Sequence, residues 1–335
     1  MALIDQIYQK AQSKKIPLAI QFDLTYRCHQ SCLHCYLPET WRRGEGPGPE
    51  LSTLQVQAIL TQLAAAGTFF LSFSGGEIFL RPDLWTILEE ARNLNFSLTL
   101  MTSGTVGLNQ KNIRRLAQLG LEALMVSVYS LEPGVHDRIT GCPGSWQKVW
   151  QTISDCRSQG LAVVLNCFAA SLNYPGMVAL KQFIDEEGIP FRLDGTLTPR
   201  WDGRPHFPGL ALSPESMGRL YREVGWDEDQ ERRNACPNLS PEVEFQDCGA
   251  ASNSCYLTPQ GEVWPCIEIP YACGRLSPET EFLTLWEDSP GFRNVREMQS
   301  QCPEGERFCD FFQVINRNCR LDDYGNIGYR CDQSR

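Results

Sequence analysis

The chain has 335 residues, a formal net charge of −10 and 42% hydrophobic residues, enough for one large domain with a buried core and a smaller one beside it. The acidic balance argues against broad binding to a nucleic-acid backbone, which needs clustered Lys and Arg. No apolar run reaches transmembrane length and the N-terminal segment lacks the order of a signal peptide, so we expect a cytoplasmic protein without a membrane partner.

Short apolar runs alternate with longer amphipathic ones between residues 16 and 195. The pattern predicts strands at 18–24, 68–73, 97–101, 123–128, 161–167 and 190–194. It predicts helices at 53–66, 82–93, 112–119, 145–158 and 177–187. Six β-α repeats imply a parallel sheet with helices outside, too few to close as an eight-stranded barrel. The expected fold is α/β, an open six-unit (β/α) partial TIM barrel.

Three cysteines follow the first predicted strand at the spacing CxxxCxxC: Cys28, Cys32 and Cys35. Thiolates on one short loop can all turn toward one metal centre. Three of them leave one iron of a [4Fe–4S] cluster open to a small ligand, which favours catalysis over electron storage. The alternative is a structural zinc loop with His29 or His34 as its fourth ligand.

A turn with two glycines and a carboxylate follows the second predicted strand: Ser74, Gly75, Gly76 and Glu77. The glycines let the backbone pass close to a ligand, and the carboxylate can receive a bound amino group. Ligands of parallel α/β sheets collect at the carboxyl ends of the strands. Both this turn and the cysteine loop are predicted to lie at that edge.

Together these motifs resemble the radical S-adenosylmethionine (SAM) enzymes. The resemblance implies one [4Fe–4S] cluster on the three cysteines, SAM on its open iron, the Gly-Gly-Glu turn at the methionine amine and an external electron donor. It implies further SAM contacts near the ends of other strands, from Ser103, Ser127, Arg138, Asn166 and His34. Here the ring of His34 would lie against adenine. The alternative is that each of these is an ordinary hydrogen-bonded group.

Nine of the 15 cysteines lie between residues 236 and 331. Metal binding is favoured over disulfides, because the cytosol keeps thiols reduced. Residues 258–261 predict the turn of a hairpin with Cys255 and Cys266 on its flanks. This segment resembles the SPASM extension of radical SAM enzymes, which implies one or two auxiliary [4Fe–4S] clusters. The implied ligands are Cys248, Cys255, Cys266, Cys302, Cys309, Cys319 and Cys331.

The expected division is a radical SAM partial barrel at 16–195, a connector with a bridging helix at 196–247 and a small, metal-organised SPASM/twitch-like domain at 248–335. Cys236 and Cys273 are interpreted as bystanders. Cys142, Cys156 and Cys167 are interpreted as packing residues, because buried Cys behaves as a small hydrophobe. One auxiliary cluster with spare cysteines, and a zinc module, stay open as alternatives.

The resemblance implies a radical SAM peptide maturase acting on a ribosomally made precursor peptide, by side-chain cross-linking or splicease-type backbone excision. We expect a separate leader-recognition protein, since the barrel begins near residue 16. The alternatives are a sulfatase-maturase-like protein oxidation, a radical SAM enzyme acting on a small molecule or an RNA base, and a zinc-stabilised binding module. The catalytic acid and base are unassigned; the positional candidates are Asp194, Arg200, Asp202 and Glu268.

Overall fold

The computed structural model describes residues 3–195, 197–225 and 248–302. Its first six strands are β1 (Ala19–Thr25), β2 (Phe70–Gly75), β3 (Ser97–Thr102), β4 (Ala123–Ser127), β5 (Val163–Phe168) and β6 (Phe191–Asp194). The helices before and among them are α1 (Leu3–Ser13), α2 (Glu39–Arg42), α3 (Thr53–Ala65), α4 (Leu84–Asn93), α5 (Gln110–Leu119), α6 (Pro133–Thr140), α7 (Ser145–Ser158) and α8 (Met177–Glu186). The later elements are α9 (Pro214–Glu223), β7 (Ser254–Leu257), β8 (Glu262–Trp264), β9 (Gly274–Arg275), α10 (Phe282–Asp288) and α11 (Pro290–Ser300).

The first six strands lie in chain order in one parallel sheet, which confirms the predicted six-unit α/β architecture. In β1 the apolar Ile20, Phe22 and Leu24 alternate with the polar Gln21, Asp23 and Thr25, so one face of the sheet is apolar and the other carries polar side chains. Local signals set the helix ends: Ser52 and Gln55 form a capping box before α3, and Gly120 ends α5 in the left-handed conformation. Within the predicted connector the structure has one helix among the described residues, α9.

The predicted hairpin is confirmed as β7 and β8, and it extends the barrel sheet. Strand β7 pairs in parallel with β1, in the register Ala19↔Ser254 to Phe22↔Leu257. Strands β8 and β9 follow in antiparallel order, so the sheet has nine strands in the part of the chain described above. Cys255 therefore lies in a strand directly beside β1, opposite Ile20. The cysteine loop follows the carboxyl end of β1.

Apolar packing continues into the C-terminal segment 248–302. Phe282, Trp286, Phe292 and Val295 are fully buried and belong to the same core as the barrel. The indole N–H of Trp286 donates to the carbonyl of Lys15 at 2.5 Å, which ties α10 to the segment before β1. The sequence pattern predicts that residues 248–335 are organised by metal binding. The described residues of this region, 248–302, also share the apolar core of the barrel. Across the ranges that the structure covers, no helix is long and apolar enough to span a membrane.

Candidate active site

The two glycines after β2 are required by the backbone that leaves β1. Gly75 has φ of +137°, and a Cβ there would lie 2.1 Å from the carbonyl oxygen of Thr25. A Cβ on Gly76 would lie 2.4 Å from the carbonyl oxygens of Tyr26 and Arg27. The N–H of Gly76 donates to the Thr25 carbonyl at 2.7 Å. The close approach predicted for a ligand is therefore made by the chain that enters the cysteine loop.

The Glu77 carboxylate is fully buried and ties the end of β2 to the end of β3. It accepts hydrogen bonds from the hydroxyl of Thr102 at 2.8 and 3.0 Å, from the N–H of Ser103 at 3.0 Å and from the N–H of Phe79 at 3.2 Å. Burial raises the pKa of Glu77, and the hydrogen bonds from Ser103 and Thr102 oppose that rise. These donors occupy most of the lone pairs of the carboxylate, so Glu77 fixes the Gly-Gly-Glu turn against β3.

The cysteine loop is held on its other side by the C-terminal end of α6. The N–H groups of Ser31 and Leu33 donate to the carbonyls of Thr140 and Ile139, both at 2.9 Å. The last carbonyls of a helix have no partner within it, so they are available for such contacts. Gly141 follows in the left-handed conformation, and a Cβ there would lie 2.8 Å from the carbonyl oxygen of Ser31. The loop is thus clamped between two glycine-containing turns.

The three thiols of the loop are partly buried and lie within electrostatic reach of one another. Burial raises the pKa of Cys28 to about 12 and also raises the pKa of Cys32 and of Cys35. Arg42 lowers the pKa of all three. Thiolates in such surroundings need positive partners, which iron provides.

This donor set fits an iron–sulfur cluster. Soft thiolates select iron–sulfur clusters and zinc over hard cations. Among the described residues, no three His, Cys, Asp or Glu side chains are arranged around a single ion. A cluster sets a different requirement, because each thiolate binds its own iron.

Two predicted cofactor residues present buried polar atoms that lack a partner within the described ranges. They are the Oδ1 of Asn166 on β5 and the Nδ1 of His34. The ring of His34 stacks on Phe168, with 4.9 Å between centroids, and its Nε2 lies 3.3 Å from the hydroxyl of Tyr129. Burial lowers the pKa of His34 to about 4, so the ring is neutral. Buried polar atoms are normally hydrogen-bonded, so these two fit a site completed by a cofactor.

Three other residues predicted to contact SAM lie in different surroundings: Ser74, Ser127 and Arg138. Ser74 is buried at the end of β2, opposite Asp23 of β1. Ser127 is half-buried at the end of β4. Arg138 is exposed in the last turn of α6, so the structure does not bring its side chain into the interior with the others.

A carboxylate that we did not select from the sequence lies inside the barrel. Asp23 on β1 is fully buried and accepts hydrogen bonds from the hydroxyl of Tyr256 at 2.7 Å, from the hydroxyl of Tyr36 at 3.4 Å and from the amide of Gln21 at 3.3 Å. Burial raises the pKa of Asp23 to about 7, against the lowering effect of these hydrogen bonds. The available signal was the one charged residue of its predicted strand, on the same face as Gln21 and Thr25.

Six aromatic side chains fill the space between the cysteine loop and the C-terminal hairpin. This aromatic cluster comprises Tyr26, Tyr36, Trp41, Trp201, Tyr256 and Trp264. Trp201 of the connector is central, with its ring 4.5 Å from that of Tyr36 and 4.8 Å from that of Trp264. Its backbone N–H donates to the Tyr36 carbonyl at 3.0 Å. The connector is therefore packed between the two cysteine-bearing regions.

The C-terminal cysteines occupy different environments. Cys248 is exposed, Cys255 is buried, and Cys266 and Cys302 are partly buried. The predicted ligands Cys309, Cys319 and Cys331 lie outside the described residues, as does Cys236. Cys273, interpreted from the sequence as a bystander, is buried; burial raises the pKa of Cys255, and the nearby Cys273 raises it further.

Three further cysteines and the acid–base candidates lie outside the loop of residues 28–35 in sequence. Cys156 and Cys167 are fully buried in the core, which confirms their packing role, and Cys142 is partly buried. Arg200 and Asp202 form an ion pair at 2.6 Å. Glu268 accepts a hydrogen bond from Thr198, and Asp194 ends the edge strand β6.

Residues 22–177, from β1 to the start of α8, match the model of a known family, described as the Radical SAM superfamily. This part of the chain is a radical SAM domain. The domain implies SAM and a [4Fe–4S] cluster as cofactors, and it identifies the protein as an enzyme. The cysteine loop, the Gly-Gly-Glu turn and Asn166 all fall within the match.

Two curated relatives extend the similarity beyond the radical SAM domain. The AdoMet-dependent heme synthase of Methanosarcina barkeri is 23% identical over 336 aligned positions, which span 93% of this chain and 93% of the relative. The mycofactocin maturase MftC of Mycobacterium ulcerans is 26% identical over 295 positions, which span 85% of this chain and 78% of the relative.

The fold is also that of a protein of known crystal structure. Streptococcus suis SuiB, crystallised with its precursor peptide SuiA, matches with a TM-score of 0.72 and 15% identity. The match covers 92% of this chain and 76% of that chain. At this identity the likeness concerns the fold.

Proposed function

We propose that this radical SAM enzyme is a peptide maturase, which modifies a ribosomally made precursor peptide by side-chain cross-linking or splicease-type backbone excision. The observation that carries the proposal is the clamped cysteine loop beside the Gly-Gly-Glu turn, in a chain of which 85% aligns with a mycofactocin maturase. The fold shared with a protein solved in complex with its precursor peptide supports it.

In this proposal Cys28, Cys32 and Cys35 hold the cluster. When bound, the cluster and SAM together supply a 5′-deoxyadenosyl radical by one-electron reductive cleavage of SAM, and this radical abstracts hydrogen from the substrate. The protein's task is to bind, orient and exclude side reactions. The two glycine turns hold the loop, and Glu77 holds the turn at which the methionine amine of SAM is expected.

The unpartnered Oδ1 of Asn166 offers an acceptor to the cofactor from β5, and the neutral Nδ1 of His34 offers a second polar atom from the loop. The aromatic cluster excludes water from the region between the cysteine loop and the hairpin. Exclusion of water protects a reactive intermediate from side reactions.

The proposal includes one or two auxiliary [4Fe–4S] clusters in the C-terminal region, with ligands drawn from Cys248, Cys255, Cys266 and Cys302 together with Cys309, Cys319 and Cys331. The register of β7 places the buried Cys255 opposite Ile20, near the amino end of β1, so in this proposal a cluster on Cys255 is separated from the cysteine loop by the length of that strand. It also includes an external electron donor and a separate leader-recognition protein. Tight binding of the leader peptide to this chain alone would contradict the last point.

The test is anaerobic incubation of the reconstituted protein with SAM, reductant and a candidate precursor peptide, followed by mass spectrometry. Loss of two hydrogens indicates a cross-link, and loss of a residue-sized fragment indicates excision. Cys28→Ala should abolish both deoxyadenosine and product, whereas the matched control Cys142→Ala should retain both. SAM cleavage with an unmodified peptide, across candidate precursors, would argue against peptide maturation.

A second candidate is oxidation of a small molecule of the tetrapyrrole class. One observation favours it: the heme synthase relative aligns over 93% of both chains, whereas the aligned maturase is longer than this chain. The same incubation with iron porphyrin carboxylates in place of the peptide separates the two. A SAM-dependent mass change of the porphyrin, without one of any peptide, would establish this second function.

A further inference from the structure

A buried guanidinium lies within the cysteine loop region. Arg42, the last residue of α2, is 8% exposed, and its Nη1 donates to the carbonyl of Gln30 at 2.9 Å. In return the N–H of Cys28 donates to the carbonyl of Arg42, also at 2.9 Å. One residue thus bonds the loop through its side chain and through its backbone.

The charge of Arg42 has no carboxylate partner in the part of the chain that the structure describes, and its Nε makes no hydrogen bond there. A buried charge without a compensating partner is strongly destabilising. The two hydrogen bonds with Gln30 and Cys28 hold this charge against the loop that carries the thiols of Cys28, Cys32 and Cys35. These thiols are therefore the natural counter-charge once they bind iron as thiolates.

Two neighbouring arginines, Arg200 and Arg43, do not combine burial with the lack of an acidic partner. Arg200 also acts on Cys35, but its guanidinium is paired with Asp202 at 2.6 Å. Arg43, adjacent to Arg42, points to solvent and pairs with Glu39. Arg42 alone among these three is both buried and without an acidic partner in the described ranges.

We propose that Arg42 is a positioning residue that supplies the counter-charge of the radical SAM cluster and raises its reduction potential. The inference rests on the proposed cluster on Cys28, Cys32 and Cys35. Three thiolates give the oxidised [4Fe–4S]²⁺ core a net charge of −1, and uptake of one electron makes it −2. A fixed positive charge stabilises the second state more than the first, and net charge is one of the properties that set the potential of such clusters.

The test is a potentiometric titration of the reconstituted protein, followed by electron paramagnetic resonance without SAM or peptide, with iron and sulfide counts for each variant. Arg42→Gln should lower the ratio of reduced to oxidised cluster about tenfold at the wild-type midpoint potential. Arg42→Lys keeps the charge and should restore most of that ratio. The matched control Arg43→Gln should leave it unchanged.

A fully loaded Arg42→Gln protein with the wild-type potential would overturn the inference, as would an equal shift in Arg43→Gln. If Arg42→Gln retains no cluster, Arg42→Lys decides: a potential near the wild-type value supports the counter-charge, and a tenfold loss of the reduced form refutes it. Wild-type protein that binds no iron overturns both this inference and the proposed function. Wild-type protein that is loaded and cleaves SAM, but modifies no peptide, removes only the proposed substrate.

Discussion

The Asp23→Asn substitution removes a titratable group from the interior of the barrel while keeping its shape. Asp23 is fully buried, and burial raises its pKa from 3.8 to about 7. An amide oxygen at this position can still accept the hydrogen bond that the Tyr256 hydroxyl makes at 2.7 Å. A matched control is Asp185→Asn, which changes an exposed carboxylate paired with Lys181.

The direction of the effect follows from which state binds more protons. The unfolded chain titrates Asp23 near 3.8 and the folded chain near 7, so between these values the folded state holds the extra proton and its stability falls as the pH rises. Above the folded-state pKa of about 7, Asp23 is ionised in both the folded and the unfolded state, and the loss of stability is complete. A shift of about 3 units corresponds to about 4 kcal/mol, of which about 2 kcal/mol is lost between about pH 5.5 and pH 8.5.

Anaerobic urea unfolding, followed by circular dichroism across that pH range, measures this slope. The free energy of unfolding of the wild-type protein should fall by about 2 kcal/mol more than that of Asp23→Asn, and Asp185→Asn should follow the wild type. An Asp23→Asn protein with the pH slope of the wild type would refute the raised pKa and the burial that causes it.

The remaining predictions concern the loop and the auxiliary region. Gly76→Ala places a Cβ 2.4 Å from two carbonyl oxygens and should cost about 3 kcal/mol in thermal unfolding, with a lower iron content, whereas Gly134→Ala, with nothing within 4 Å, should be neutral or stabilising. Glu77→Gln should weaken SAM binding about tenfold in calorimetry, because a donor replaces an acceptor facing Ser103, and unchanged affinity would contradict its role. Cys266→Ala should reduce iron and product but leave deoxyadenosine formation, and loss of deoxyadenosine would argue against an auxiliary role.

The strands of the barrel could be predicted because short segments with apolar residues at every second position recur along the chain, separated by longer amphipathic segments. All six predicted strands are present, and their ends differ by one or two residues. The run predicted at 68–73 is observed as Phe70–Gly75, because pairing with β1 and β3 decides where the strand begins and ends. The cysteine loop and the Gly-Gly-Glu turn were located by the same reasoning, since both follow strand ends.

Long-range pairing could not be predicted in the same way. Strand β7 lies more than 200 residues after β1, and nothing in the pattern of either strand specifies the other as its neighbour. The hydrogen bond from Tyr256 to Asp23 depends on that pairing, so the buried carboxylate was missed with it. Arg42 was missed because an arginine after a loop gives no local sign of burial.

Strand β1 joins these observations into one arrangement. Its neighbour β2 carries the glycine turn that presses on the chain leaving β1, and its other neighbour β7 carries Cys255. Between them Asp23 accepts hydrogen bonds from Tyr36, next to Cys35, and from Tyr256, next to Cys255. A change in the hydrogen bonding or charge of Asp23 therefore acts on Tyr36 and Tyr256, and through them on the adjacent Cys35 and Cys255. We expect the cysteine loop and the hairpin to respond together when Asp23 is altered.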